Sequence, residues 1–237
     1  KIKKKTDVFS HLSFLRNREE KSVKKGQIVE GIITKVAFPN KGIIRTEEKE
    51  IIVKDGVSGQ KVRVMIQKVR KGKCEGRILE VLEKADNEIE PICPHFGNCG
   101  GCTYQNLEYE DQLKMKANQV QDLLDQVCAD YTFEGIKRSP KQFVYRNKME
   151  FSFGDEYKDG PLSLGMHKKG SFYDILTVDQ CKIVDEDYGK ILRCVLDEAL
   201  KLHLSYYHNL SHKGYFRHLL VRKGAKSKEI VVDPVTS

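Results

Sequence analysis

Between residues 26 and 84 the chain alternates apolar and polar residues in short β-branched runs. QIVEGIITKVAF, GIIRT, EIIVKD, QKVRVMIQKVRKG and CEGRILEVLEK are separated by Gly, Asn-Lys-Gly or Asp-Gly turn signals. Five short strands in one stretch predict a small closed barrel, because closure removes unpaired sheet edges. The period then changes. Across 106–128, Leu113, Val120, Leu123, Leu124 and Val127 recur at helical spacing, with Asn106 placed to cap the start and Cys128 read as a buried apolar thiol. Residues 143–153 alternate strictly. Phe143, Tyr145, Asn147, Met149, Phe151 and Phe153 share one face, and Val144, Arg146, Lys148, Glu150 and Ser152 the other, which predicts a half-buried strand. PLSLGMHKKG and SFYDILTV continue a β meander. Residues 185–203 read as a second amphipathic helix with Ile191, Leu192, Val195, Leu196 and Ala199 inward and Cys194 in no special role. YFRHLLVRKG and KEIVVD add two strands. The expected organisation is a charged, solvated lead-in at 1–25, a β-barrel at 26–84, an acidic linker at 85–92 and a mixed α+β domain at 93–237.

Charge sharpens this division. The 237 residues carry a net charge of +8. Residues 1–90 hold 22 basic and 14 acidic residues, whereas 91–237 hold 20 of each, so the whole excess lies at the front. The fourth barrel strand concentrates Lys61, Arg63, Lys68, Arg70, Lys71 and Lys73, a pattern suited to a phosphate backbone, with a solvated barrel face as the alternative. In the second region Arg146 and Lys148, with Arg217 and Arg222, are the candidate RNA contacts. Tyr145, Phe151 and Phe216 are candidates for base stacking, although their strand positions favour the core.

No run of apolar residues exceeds three, which is too short for a membrane span or a signal-peptide core. The expectation is a monomeric cytoplasmic protein with no membrane partner. The chain opens on Lys1 and stops at EIVVDPVTS after a strand-like run, so both ends read as cuts in a longer polypeptide.

The chemistry-bearing segment is CPHFGNCGGCTYQ, residues 93–105. Cys93, Cys99 and Cys102 have the spacing C-x5-C-x2-C. Three thiols so close cannot all pair as disulfides, and soft thiolates suit zinc or an iron–sulfur cluster. Gly97, Gly100 and Gly101 free the backbone to wrap a bulky centre. A fourth ligand must come from elsewhere: Cys74, Cys128, Cys181, Cys194 or His95. Cys181 is mildly favoured, because it falls in a loop between a strand and a helix. The five-residue gap favours iron–sulfur over zinc, which usually takes two C-x2-4-C pairs, and leaves zinc open.

CPHFGNCGGCTYQNL and the helix after it resemble the signature of the bacterial RNA (uracil-5-)methyltransferases of the ribosomal type. VYRNKMEFSF, HKKGSFYDILTVDQC and YFRHLLVRKG also resemble segments of that family, so the resemblance covers residues 22–237. It implies an OB-like TRAM barrel that binds RNA, followed by a mixed α+β central domain. It implies a [4Fe-4S] cluster, structural in role, on Cys93, Cys99, Cys102 and Cys181. It also implies methylation of carbon 5 of a uridine, 23S rRNA being favoured because the tRNA branch typically lacks barrel and cluster. In the family a Cys nucleophile, a carboxylate base and S-adenosylmethionine (SAM) belong to a C-terminal Rossmann-like methyltransferase domain. No Gly-rich SAM loop and no catalytic Cys or Glu in that context is found here. This chain is therefore expected to contain no catalytic residue, to lack that domain and to be inactive alone. EIVVDPVTS departs from the family's usual Asn-Leu in that strand. The alternatives are a metal-stabilised RNA-binding module without methyltransferase activity and a zinc-ribbon protein. A radical-SAM methylthiotransferase is disfavoured by its C-x3-C-x2-C spacing and C-terminal TRAM.

Overall fold

The structure, a computed structural model, describes residues 23–46, 49–70 and 73–237; the lead-in at 1–22 and Lys71 lie outside the described residues. The chain divides into two compact units after Ala85.

The first unit is the barrel that the alternation predicts. Strands β1 (Ile28–Ala37), β2 (Lys41–Arg45), β3 (Glu50–Lys54), β4 (Lys61–Arg70) and β5 (Lys73–Glu83) close in the order β1-β2-β3-β5-β4. All pairings are antiparallel except β3 with β5. The inward residues are the β-branched ones of each run: Ile33, Ile44, Ile51, Val53, Val62, Val64 and Ile66 are almost wholly buried. Cys74 joins them, which explains that thiol by packing.

The second unit is α+β. Its sheet, β10-β9-β6-β7-β8, consists of β6 (Lys148–Asp155), β7 (Leu162–His167), β8 (Ile175–Leu176), β9 (Phe216–Lys223) and β10 (Ile230–Thr236), all antiparallel. Helix α2 (Glu186–Leu202) contributes Tyr188, Leu192, Leu196 and Ala199 to one core with Met149, Phe151, Phe153, Leu164, Leu219 and Val221. Phe153 stacks on Phe216 at 4.8 Å between ring centroids, so Phe151 and Phe216 are core side chains. Truncating a fully buried Leu such as Leu192 to Ala costs about 2–5 kcal/mol in such a core. Asp185 caps α2 by accepting the Asp187 N–H at 3.1 Å.

Three local expectations are corrected. Helix α1 runs Tyr109–Leu124 and its N-cap is Glu108. Asn106 instead donates its amide to the Glu88 carboxylate at 2.9 Å. The apolar stripe of α1 is only partly covered: Leu113 and Leu124 are half-buried, Val120 and Leu123 are exposed, and only Gln119 on this helix is buried. Cys128 lies past the helix end and is exposed, its thiol donating to the Asp130 carbonyl at 3.4 Å. The strand expected over 143–153 begins only at Lys148. Val144 adopts φ +54°, a left-handed turn that breaks the alternation, and Tyr145 is 55% exposed as a result.

Among the described residues no helix is long and apolar enough to cross a membrane.

Candidate metal centre and basic surfaces

The cysteine loop lacks regular structure, so each turn is held by specific contacts. Gly97 takes φ +87°, a conformation costly for residues with a Cβ. The Gly100 N–H donates to the His167 carbonyl at 3.0 Å, so close that a Cβ on Gly100 would lie 3.1 Å from that oxygen. The Lys169 N–H donates to the Asn98 carbonyl at 2.8 Å. These bonds fasten the loop to the end of β7.

The Cys181 loop comes from the other side. The Cys181 N–H donates to the Val178 carbonyl at 3.3 Å. His95, inside the cysteine loop, accepts the Gln180 N–H on Nε2 at 3.3 Å. Its ring is held below the ordinary histidine range, chiefly by burial, which keeps Nε2 free to accept. His95 thus joins the two loops, a role the sequence does not reveal. Asp179 carries a second tie, accepting Arg193 Nε of α2 at 2.6 Å. Gly189 of α2 allows this approach: a Cβ there would fall 1.9 Å from the Asp179 carbonyl oxygen.

The result is one small cavity that Cys93, Cys99, Cys102 and Cys181 all line, together with Met149, Met166 and Val178. All four cysteines are free thiols. Burial is the first cause that raises the Cys99, Cys102 and Cys181 thiols, and the neighbouring thiols raise each of them further. Clustered thiols whose ionisation burial opposes are a donor set that a cationic centre would stabilise as thiolates. One N–H group is already aimed at a sulfur: the Gly101 N–H donates to Cys99 Sγ at 3.3 Å. Gln105 lines the same cavity. Its amide nitrogen and oxygen are both buried without a hydrogen-bond partner among the described residues. Among the described residues no group of three or more His, Cys, Asp or Glu side chains is disposed to hold a metal ion as it stands. Cys74, Cys128 and Cys194 are absent from the residues lining this cavity.

The basic strand of the barrel is less free than its composition suggests. Register sets carboxylates across from its cations. Lys61 Nζ meets Glu83 at 2.6 Å, Arg63 is held between Glu30 at 2.9 Å and Glu80 at 2.6 Å, and Lys68 lies 3.8 Å from Glu75. Arg70 is exposed at the strand end. A different pair stands out: Lys41 on β2 and Lys54 on β3 are direct cross-strand partners, both exposed, and neither is in an ion pair among the described residues. The sequence alone does not single them out, because only the β2–β3 register brings them together. Like charges set opposite each other are destabilising unless an anion intervenes.

In the second unit Lys148 and Arg222 are register partners on β6 and β9; Lys148 is paired with Glu150 at 2.9 Å, while Arg222 is exposed. Arg217 stacks over the Tyr207 ring at 4.2 Å. Arg146 lines the cysteine cavity and donates Nε to the Lys148 carbonyl at 3.1 Å.

No protein-family model matches the chain. It is 46% identical over 214 residues to an uncharacterized RNA methyltransferase of Caldanaerobacter subterraneus subsp. tengcongensis, a match that takes in 90% of this chain and 47% of that protein. It is 42% identical over 217 residues to an uncharacterized RNA methyltransferase of Clostridium tetani, covering 91% of this chain and 48% of the relative. The chain thus spans about half the length of the curated relatives it matches, and is homologous to that part of these RNA methyltransferases. Among solved structures, the tRNA (uracil-54, C5)-methyltransferase of Pyrococcus abyssi, in complex with S-adenosyl-L-homocysteine, superposes with a TM-score of 0.63 at 20% identity, over 88% of this chain and 46% of that one. That likeness establishes a shared fold.

Proposed function

We propose that this chain is the RNA-binding, cluster-bearing part of an enzyme that transfers a methyl group from S-adenosylmethionine to carbon 5 of a uridine. The observation that carries the reading is the folding of the C-x5-C-x2-C loop and Cys181 around one cavity, in a chain with 46% identity to an RNA methyltransferase. No catalytic role is assigned to residues of this chain. The family resemblance implies that the methyl donor and the catalytic groups lie outside this chain.

Cys93, Cys99, Cys102 and Cys181 are the proposed ligands of a [4Fe-4S] cluster. Thiolates on one tetrahedral zinc lie about 3.8 Å apart, given Zn–S bonds of about 2.3 Å. A cluster is larger than one ion and takes its thiolates from around a cavity, and the four cysteines line one cavity here. The cluster would supply a covalent tie between the two loops, with no electron transfer required of it. The chain's own residues prepare that tie: His95 joins the loops, Gly101 directs an N–H to sulfur, and Gln105 holds a buried amide beside Cys102.

On the barrel, which resembles a TRAM module, the proposed RNA contacts are Lys41, Lys54 and Arg70. Lys61, Arg63 and Lys68 are engaged with carboxylates and serve the barrel first. In the second unit Arg222 and Arg146 are the proposed contacts. Ribosomal RNA is the substrate favoured by the resemblance.

Deleting the gene and mapping 5-methyluridine by mass spectrometry tests the reading. Loss of one such nucleotide from 23S rRNA, restored by the intact gene, is expected. Loss from tRNA alone would correct the substrate, and unchanged 5-methyluridine in both RNAs would overturn the function.

A further inference from the structure

A second cavity, of about 550 Å³, lies beside the cysteine site. It opens between the start of α1, the segment 139–145 and the CGGC turn. Its volume falls within the roughly 300–1,000 Å³ range of small-ligand sites. Tyr109, Gln112 and Lys116 recur at helical spacing along one face of α1 and form one wall. Lys141, Phe143 and Tyr145 also line it.

We propose that this cavity holds one unpaired nucleotide of an RNA strand. Three features select that occupant. Tyr145 is a 55% exposed aromatic at the cavity, placed there by the left-handed turn at Val144, and an exposed ring suits stacking on a splayed base. Lys116 and Lys141 are exposed, and neither is in an ion pair among the described residues, so two ammonium groups are available to a phosphate. Glu108 is the one carboxylate in the lining among the described residues, and the amide of Gln142, with the Gln112 carbonyl oxygen, supplies donors and acceptors for a base edge, the Gln112 amide nitrogen already donating to the Leu107 carbonyl at 3.0 Å.

The cavity also shares a wall with the cysteine site. Gly101, Cys102, Gln105 and Ile183 line both. The nucleotide pocket is therefore shaped by the same turn that the thiolates hold. The proposal rests on the RNA-binding reading and extends it by placing a base-sized subsite against the cluster loop.

Anisotropy titrations with a labelled single-stranded uridine-rich RNA and with a duplex RNA test it, using the full chain purified without oxygen. Tyr145→Ala and Lys141→Ala are expected to weaken single-strand binding about tenfold, as removal of a stacked base does, with duplex binding nearly unchanged. Tyr145→Phe keeps the ring and is expected to restore affinity. Ultraviolet cross-linking should attach the single strand to the peptide containing Tyr145. If Tyr145→Ala and Lys141→Ala bind within twofold of the parent while Lys41→Ala/Lys54→Ala weakens binding, the pocket is refuted and RNA binding by the barrel stands. If the parent chain binds neither RNA, both readings fail.

Discussion

Gly189 of α2 lies so close to Asp179 that a Cβ on the glycine would sit 1.9 Å from the aspartate's carbonyl oxygen. The helix therefore presses directly on the loop that carries Cys181, two residues further on. Packing of the core and placement of the fourth thiol are one event, since the same helix buries Leu192 and Leu196 in the sheet core.

Gly189→Ala accordingly does more than add a methyl group. Overpacking of this kind costs about 1–3 kcal/mol, and here the relief is outward movement of the Cys181 loop. The expected outcome is a lower Tm together with reduced iron per chain after anaerobic purification. Unchanged iron content would show that the helix does not position the thiol.

His95 makes the second test. It accepts the Gln180 N–H on Nε2, which fits a positioning role beside the proposed ligands. His95→Ala should leave the four thiols intact yet slow cluster assembly from iron and sulfide and speed its loss to a chelator. A variant stripped of a ligand would instead show altered cluster composition by electron paramagnetic resonance, and that result would assign His95 to the centre itself.

The barrel proposal separates paired from unpaired cations. Lys41→Ala/Lys54→Ala is expected to lower RNA affinity and to reduce the slope of log K against log salt by about one to two units, since each phosphate that a lysine no longer neutralises removes about one. Lys61→Ala should change that slope little, because Lys61 is already neutralised by Glu83. Equal effects from both variants would return the interface to β4.

A pH dependence resides at the start of α2. Lys223 Nζ lies 2.8 Å from Asp185 and 2.6 Å from Asp187. The hydrogen bond from Lys223, and then the Asp187 N–H, hold the Asp185 carboxyl below its ordinary range. A carboxyl lowered in the folded state stabilises the fold above its ordinary pKa, and that stability is lost as pH falls through the lowered value. Asp185→Ala should therefore cost about 1 kcal/mol at neutral pH. The difference from the parent should shrink in acid, as followed by urea unfolding across a pH series.

The barrel is legible in the sequence because alternation, turn residues and short spacing all agree, and Ile33, Ile51, Val62 and Val64 face inward as their period requires. Helix α2 is legible for the same reason. The segment 143–147 is not, because the left-handed turn at Val144 leaves no mark on an alternating sequence. The open face of α1 escapes the pattern because periodicity marks an apolar stripe and not what covers it. Lys41 and Lys54 are hidden because cross-strand neighbours depend on register, and the clamp of His95 on Gln180 depends on two loops 85 residues apart. The C-x5-C-x2-C loop stands out by spacing, whereas Cys181 needs its loop position and the family resemblance.

The most direct test of the proposed centre is the metal content of the chain and of its Cys181→Ser variant, both purified without oxygen, with iron, sulfide and zinc measured alongside the visible spectrum. The expected result is a brown protein with about four irons and four sulfides per chain, as one [4Fe-4S] cluster requires, and loss of most of both in the variant. A colourless parent holding a single zinc, or a variant that keeps its full iron content, would contradict it.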